Sequence, residues 1–199
     1  ADCALMGECW LGAARGYRDV VMVTIGTGIG GGILTEGRLL TGVRGIAGEL
    51  GHFPIRADGE LCSCGNRGCY EKYASTTALV NMVRDRADEL VPDISADHID
   101  GQLIFNRVSQ GDTALRSVVS EWITSITLGL VGLIHIFNPQ LVLIGGGVSQ
   151  QEELFIEPLR EQILSYTMPG FCKDLIIKSA QLGNNAGLLG AVAYLKNLF

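Results

Sequence analysis

The chain has 199 residues, 47% of them apolar and 18% charged, which is enough hydrophobic material to offset chain entropy and excludes global disorder. Fifteen basic against 21 acidic residues give a net charge of −6 with a pI near 5.0, and no Lys/Arg cluster is long enough to neutralise a phosphate track. No nucleic acid is expected to bind this chain, and no membrane segment is expected either, because residues 126–137 are broken by Gly129, Gly132 and His135 and are shorter than the roughly 18 apolar residues of a bilayer span.

Residues 1–5 carry neither an initiator Met nor the basic-then-apolar layout of a signal peptide, so the chain is expected to begin inside a longer one. The Ala-, Leu- and Met-rich stretch 4–14 predicts a first helix, ended by Gly16. Two β-branched runs, Val20-Val21-Met22-Val23-Thr24-Ile25 and Gly31-Gly32-Ile33-Leu34, are divided by glycines and followed by Glu36-Gly37. They predict a hairpin that continues into a third strand. Residues 42–75 show little periodicity and are read as an ordered functional loop holding His52, Pro54, a cysteine cluster and Glu71.

Residues 76–90 read as a helix. Ala114, Leu115, Val118, Val119, Trp122 and Ile126 recur at three- and four-residue spacing and mark a longer, central one. Gly129 and Gly132 inside it each cost about 1 kcal/mol relative to Ala, which points to close approach by another backbone or a ligand, tight helix packing being the preferred reading. Leu141-Val142-Leu143-Ile144 predicts a buried strand and Gly145-Gly146-Gly147 a turn. Ser149 with Glu152 predicts a capping box for a helix that Pro158 splits or bends. A last strand near 175–177 leads through Asn184-Asn185 into a terminal helix whose Leu188, Leu189, Val192 and Leu195 share a face. The order ββ(β), α, βαβα, without internal repeat or linker, predicts one α/β domain with an inserted loop.

His52, Cys62, Cys64 and Cys69 supply one imidazole and three thiolates within eighteen positions, the complement of a closed, structural Cys₃His zinc site. Gly65 and Gly68 permit the tight turns this needs. The competing reading is free or disulfide-bonded thiols beside an ordinary loop histidine. Zinc is preferred, and with it a reducing, cytoplasmic setting; with no open ligand position the ion would be scaffolding for a loop without its own core. Cys3, Cys9 and Cys172 are read as small buried hydrophobes, and His98 and His135 as ordinary.

Gly26, Gly28 and Gly31 satisfy the dinucleotide pattern, yet a strand follows where a helix is required, so that reading fails. A hairpin whose bare N–H groups and Thr27 hydroxyl line a phosphate remains, beside the plainer reading of a ligand-free turn. Gly145-Gly146-Gly147 sits between a buried strand and a helix, where open α/β sheets place ligands, and two such turns suggest a nucleotide between them.

Together, Gly26-Thr27-Gly28-Ile29-Gly30-Gly31-Gly32, Gly48-Glu49-Leu50-Gly51-His52 and Cys62-Ser63-Cys64-Gly65-Asn66-Arg67-Gly68-Cys69-Tyr70-Glu71 closely resemble the ROK family (repressor, open reading frame, kinase). The resemblance runs on through Leu143-Ile144-Gly145-Gly146-Gly147 to Asn185-Ala186-Gly187. It implies an actin-like ATPase (ribonuclease H-like) fold of two lobes. Residues 1–199 would be the C-terminal lobe, with a zinc-binding loop at 44–75 and the N-terminal lobe absent from this chain.

By the same resemblance Glu49 and Glu71 accept bonds from sugar hydroxyls, and His52 touches the sugar with one edge while binding zinc through the other. Gly26, Thr27, Gly28 and Gly30 face ATP phosphates, and Gly145, Gly146 and Gly147 the adenosine. Magnesium bridges the phosphates and a carboxylate takes the hydroxyl proton. Ala1-Asp2-Cys3-Ala4 aligns with the end of the family's Asn-Asp-Ala-Asn-like motif, so the catalytic Asp would fall just before Ala1, and this chain alone is expected to catalyse little.

The implied activity is ATP-dependent phosphorylation of a hexose or hexosamine by the parent protein; the alternatives are the sugar-sensing part of a repressor of the same family, and a zinc-stabilised interaction module. Gly30 to Gly32, by leaving the phosphate approach unobstructed, favour the kinase. Self-association into a homo-oligomer is expected from apolar surface left exposed on an isolated lobe.

Overall fold

The computed structural model describes residues 1–196. Helix α1 (Asp2–Leu11) is followed by β1 (Val20–Ile25), β2 (Ile29–Thr35) and the short β3 (Arg38–Leu39). After a long loop come α2 (Glu71–Ala74), α3 (Thr76–Arg84), α4 (Ala87–Leu90), α5 (Gly101–Ser109) and the 25-residue α6 (Thr113–Phe137). The remainder is β4 (Leu141–Gly145), α7 (Glu157–Tyr166), α8 (Pro169–Cys172), β5 (Ile176–Ser179) and α9 (Ala186–Leu195). The strands form one sheet in the order β3-β2-β1-β4-β5, with the hairpin antiparallel and β1, β4 and β5 parallel.

Strand alternation splits the core into two layers. Val21, Val23, Ile25, Val142 and Ile144 face one way, into the larger core with α3, α5, α6 and α7. Val20, Met22, Leu141 and Leu143 face the other, onto Leu5 and Met6 of α1. Trp122 is fully buried in the larger core, stacked on Phe155 with centroids 5.1 Å apart, and its indole N–H donates to the Ser75 carbonyl at 2.9 Å. The hairpin, the buried strand at 141–144, the last strand and the central helix form as the sequence predicts.

Several local expectations are corrected. The first helix starts at Asp2 and is capped at Gly12, ahead of Gly16. The single helix foreseen at 76–90 is two, interrupted at Asp85-Arg86, and α5 is additional. Ser149 and Glu152 form no capping box: the Ser149 hydroxyl donates to the Gly146 carbonyl at 2.8 Å within a 3₁₀ turn, and a wide π-type turn, Glu152–Ile156, precedes α7. Pro158 sits in the first turn of α7, where its missing N–H is tolerated. The terminal helix buries Ala186, Gly190 and Ala193, whereas Leu188 and Leu195 are exposed. Small residues win there because α9 crosses α1 at backbone distance. A Cβ on Gly190 would strike the Cys3 carbonyl, and one on Gly7 the Ala186 carbonyl. Cys3 is exposed, and Cys9 and Cys172 only half-buried.

Helix α6 is, by length and composition alone, long and apolar enough to cross a membrane, but 61% of its most apolar window is buried against the rest of the fold, which marks it as the central core helix. Asp112 caps its start by accepting the Leu115 N–H at 3.0 Å, and Asn138, at φ 43°, ends it in the left-handed region. Its two glycines differ: a Cβ at Gly129 would collide with the ring of Tyr70, whereas Gly132 faces open space. Gly129→Ala is therefore expected to destabilise the protein by about 1–3 kcal/mol through overpacking. Gly132→Ala is expected to raise stability by up to about 1 kcal/mol, and parallel urea titrations of the two variants check both signs.

Candidate functional site

The inserted loop folds by two short backbone bridges, Pro54 with Cys69 and Leu61 with Arg67. Within the tip, the Cys62 N–H donates to the Asn66 carbonyl at 2.8 Å and the Gly65 N–H to the Cys62 carbonyl at 3.0 Å, making a tight knuckle. Gly68 takes a positive φ of 73°, and a side chain there would run into the Arg56 backbone. The knuckle presents Cys62 and Cys64, and the Pro54 bridge brings Cys69 beside His52.

The four ligand atoms of His52, Cys62, Cys64 and Cys69 all lie within 4.8 Å of one another. Cys62 Sγ is 3.6 Å from His52 Nδ1, and Cys64 Sγ is 3.6 Å from Cys69 Sγ. These are edges of a tetrahedron with bonds of about 2.0–2.3 Å, the Zn–N and Zn–S lengths, and the sulfurs are too far apart for a disulfide. The Cys64 backbone N–H, aided by His52, lowers the Cys62 thiol to about 6, while burial pushes Cys69 up to about 12. One sulfur is thus predisposed to be a thiolate before any cation arrives.

The loop is also tied to the main core. Tyr70, fully buried, stacks on Phe53 at 5.2 Å and donates its hydroxyl to the Ile126 carbonyl at 2.8 Å. Leu50 and Ala74 belong to the same core cluster. The expectation of a loop without a core is corrected accordingly.

Glu71, one residue after Tyr70, turns back to the glycine hairpin, and its Oε2 accepts the Ile29 N–H at 3.1 Å. Its own N–H bonds the Gly51 carbonyl at 2.9 Å, and the His52 N–H bonds the Glu49 carbonyl at 3.1 Å, so Glu49, His52 and Glu71 belong to one hydrogen-bonded segment. Glu49 is exposed, His52 and Glu71 half-buried. Asp2 lies nearby with Oδ1 buried and unpartnered. Burial raises its carboxyl above the ordinary value, and Glu49 adds to it.

On the other side of the glycine turn is a cleft of about 690 Å³. Its walls are the turn itself (Ile25, Gly26, Thr27), one face of α3 (Thr76, Thr77, Val80, Arg84), residues 99–102 with Phe105, and Gly147, Val148 and Gln151. The turn is bound to the start of α3: the Thr76 N–H donates to Gly26 at 2.8 Å and the Thr77 hydroxyl to Thr27 at 2.7 Å. Gly26, Thr27 and Gly147 thus meet at one cleft. Gly145 and Gly146 border a smaller pocket of about 270 Å³ beside α9, which Gly147 also touches.

Gly28 and Gly30 line neither space. A Cβ on Gly28 would strike the Glu71 carboxylate, and Gly30 packs on the Thr24 side chain. Gly31 and Gly32 likewise leave room for Leu50 and for Leu5 and Asp2, so their smallness serves packing and does not open a phosphate approach. The sequence reading missed Tyr70 and Arg84. Only the position of Tyr70 directly after the last cysteine was there to suggest it.

The sequence model of the ROK family matches residues 1–197. The chain belongs to the ROK family. It is 38% identical to a glucokinase of Thermotoga maritima over 202 residues, covering 98% of this chain and 64% of that protein. It is 33% identical to a xylose repressor of Caldicellulosiruptor bescii, covering 97% of this chain and 50% of the repressor. The crystal structure of a ROK family glucokinase from Streptomyces griseus in complex with glucose and AMPPNP superposes with a TM-score of 0.89 at 37% identity, covering 98% of this chain and 65% of that one. The chain therefore spans less than two thirds of the length of these relatives, and its α/β architecture is that of the actin-like ATPase fold.

Because Glu71 is the partner of a half-buried main-chain N–H, Glu71→Ala is expected to cost about 1–3 kcal/mol. It should also speed hydrogen exchange at Ile29 selectively, which exchange mass spectrometry on overlapping peptides checks.

Proposed function

We propose that this chain is the C-terminal lobe of an ATP-dependent hexose or hexosamine kinase. The observation that carries the reading is the glycine turn at Gly26 and Thr27, which separates a nucleotide-sized cleft from a group of acidic side chains and is hydrogen-bonded to both sides. The first turn of α3 aims its positive dipole end at this point, which suits phosphate oxygens. Magnesium, when bound with ATP, would neutralise charge on the phosphates.

In this reading the residues of the chain hold and orient. Glu49 and Glu71 accept bonds from sugar hydroxyls, as carboxylates with several lone pairs can, and the Ile29 N–H fixes Glu71 toward the phosphate turn. His52 directs Nδ1 to the sulfurs, which leaves its opposite edge for the sugar. Gly26, Thr27 and Gly147 border the triphosphate and nucleoside. Gly28 and Gly30 shape the turn, and Gly145 and Gly146 support it from the sheet. His52, Cys62, Cys64 and Cys69 hold a structural zinc that fixes the loop. A repressor's sugar sensor is the second reading, carried by the 33% identity to a xylose repressor; the higher identity to glucokinases favours the kinase.

Coupled ADP release by the whole gene product in the presence of glucose, N-acetylmannosamine or related sugars tests the proposal, and sugar-modulated operator binding without turnover would replace it with the repressor. Glu71→Gln is expected to weaken sugar binding with zinc content unchanged. Cys64→Ser is expected to lower zinc content and melting temperature together, measured by elemental analysis and calorimetry. Because protons compete with the metal for thiolates, zinc affinity should fall steadily as pH falls from the alkaline range and more steeply below about 6, where Cys62 protonates as well, as a metal-chelator competition titration across pH checks.

A further inference from the structure

Arg84 is a cleft residue with no place in the reading above. It lies on the cleft-facing side of α3, eight residues beyond Thr76, which at 1.5 Å per residue puts it about 12 Å from the phosphate turn along the helix. That separation along the helix is comparable to the reach of a nucleoside triphosphate from its terminal phosphate to its base, and the guanidinium itself is directed to main chain.

The guanidinium is held in place by main chain. Nε donates to the Ala96 carbonyl at 3.0 Å and Nη2 to the Ile99 carbonyl at 2.9 Å, which leaves Nη1 unspent. Among the described residues no carboxylate forms an ion pair with it, unlike Arg86, Arg107 and Arg160. On the cleft wall around it Val80, Ile99 and Phe105 are apolar, and Asp100, which follows Ile99, accepts the Leu103 N–H at 2.8 Å and forms no ion pair with it. A fixed, planar, un-neutralised cation at the edge of an apolar slot is built to lie against an aromatic face, where its charge is attracted to the π-system and its weak hydration costs little.

We propose that Arg84 is the base-recognition residue of the nucleotide site and that the base it favours is a purine, the larger stacking face. This rests on the nucleotide reading given under the proposed function. Arg84 acts on the base only, so its contribution is absent from ligands that consist of phosphates alone.

The test measures binding of AMPPNP, a cytidine triphosphate analogue and inorganic tripolyphosphate, each with magnesium, to the purified gene product by calorimetry. Arg84→Gln is expected to weaken AMPPNP about tenfold, to narrow its advantage over the cytidine analogue, and to leave tripolyphosphate within about twofold. Arg84→Lys, which keeps the charge and loses the plane, should recover little of the loss. Asp93→Asn loosens the same 91–99 segment by removing its ion pair with Arg107, without touching the cleft, and should leave AMPPNP within about twofold. Equal losses for AMPPNP and tripolyphosphate, unchanged AMPPNP affinity, or the same loss in Asp93→Asn would overturn the assignment to Arg84. A wild-type protein that binds none of the three ligands would instead overturn the nucleotide reading, and this one with it.

Discussion

The aromatic ring of Tyr70 lying in the notch of Gly129 is the contact on which the rest of the site depends. It fixes the end of a 30-residue-scale irregular segment onto the central helix, and its hydroxyl is satisfied by the Ile126 carbonyl, so a large polar-tipped side chain is buried without an orphaned group. Everything that follows Tyr70 in sequence inherits that position. Glu71 is aimed at the hairpin, and Ser75 caps α3 while its carbonyl receives the Trp122 indole N–H. Cys69 immediately before it carries the same registration to the sulfur cluster. A single large-into-small fit therefore sets the spacing between a phosphate-sized turn and a loop of acidic side chains.

The division of labour between the two sides of the glycine turn is a matter of polarity. Toward the cleft, Val80, Ile99, Phe105 and Val148 offer apolar area, with the positive end of α3 and Arg84 as electrostatic features. Toward the loop, Asp2, Glu49 and Glu71 make the surface acidic. In the proposed function these are the sides for a polyanion and a polyol, set apart by one hairpin's width. The glycines of β2 make this possible by allowing Leu50 and the first helix to pack tightly behind the turn.

Much of this was legible in the sequence because it depends on residue types with few uses. The Cys/His spacing, the glycine hairpin and the strand at 141–144 carry local signals strong enough to survive without tertiary context, and each is found where it was expected. What was missed depends on contacts between distant segments. Leu188 and Leu195 look like a buried face, yet the crossing with α1 selects Gly190 and Ala193 instead. Ser149 and Glu152 have capping-box spacing, but the hydroxyl is taken by Gly146. Close packing at Gly129 was legible, but its partner, an aromatic ring some sixty positions earlier, was not. Arg84 is silent for the same reason, since its partners are carbonyls that leave no trace in residue identity.

The exposure of Cys64, beside buried Cys62 and Cys69, makes the sulfur cluster lopsided. With zinc bound as proposed, a chelator or an oxidant would reach the cluster from that rim first, so exchange of the ion would proceed by stepwise unhooking and its rate would rise with competitor concentration. Because Tyr70 is held by the core through its own burial and its bond to the Ile126 carbonyl, loss of the proposed ion would loosen the loop at its tip ahead of its root.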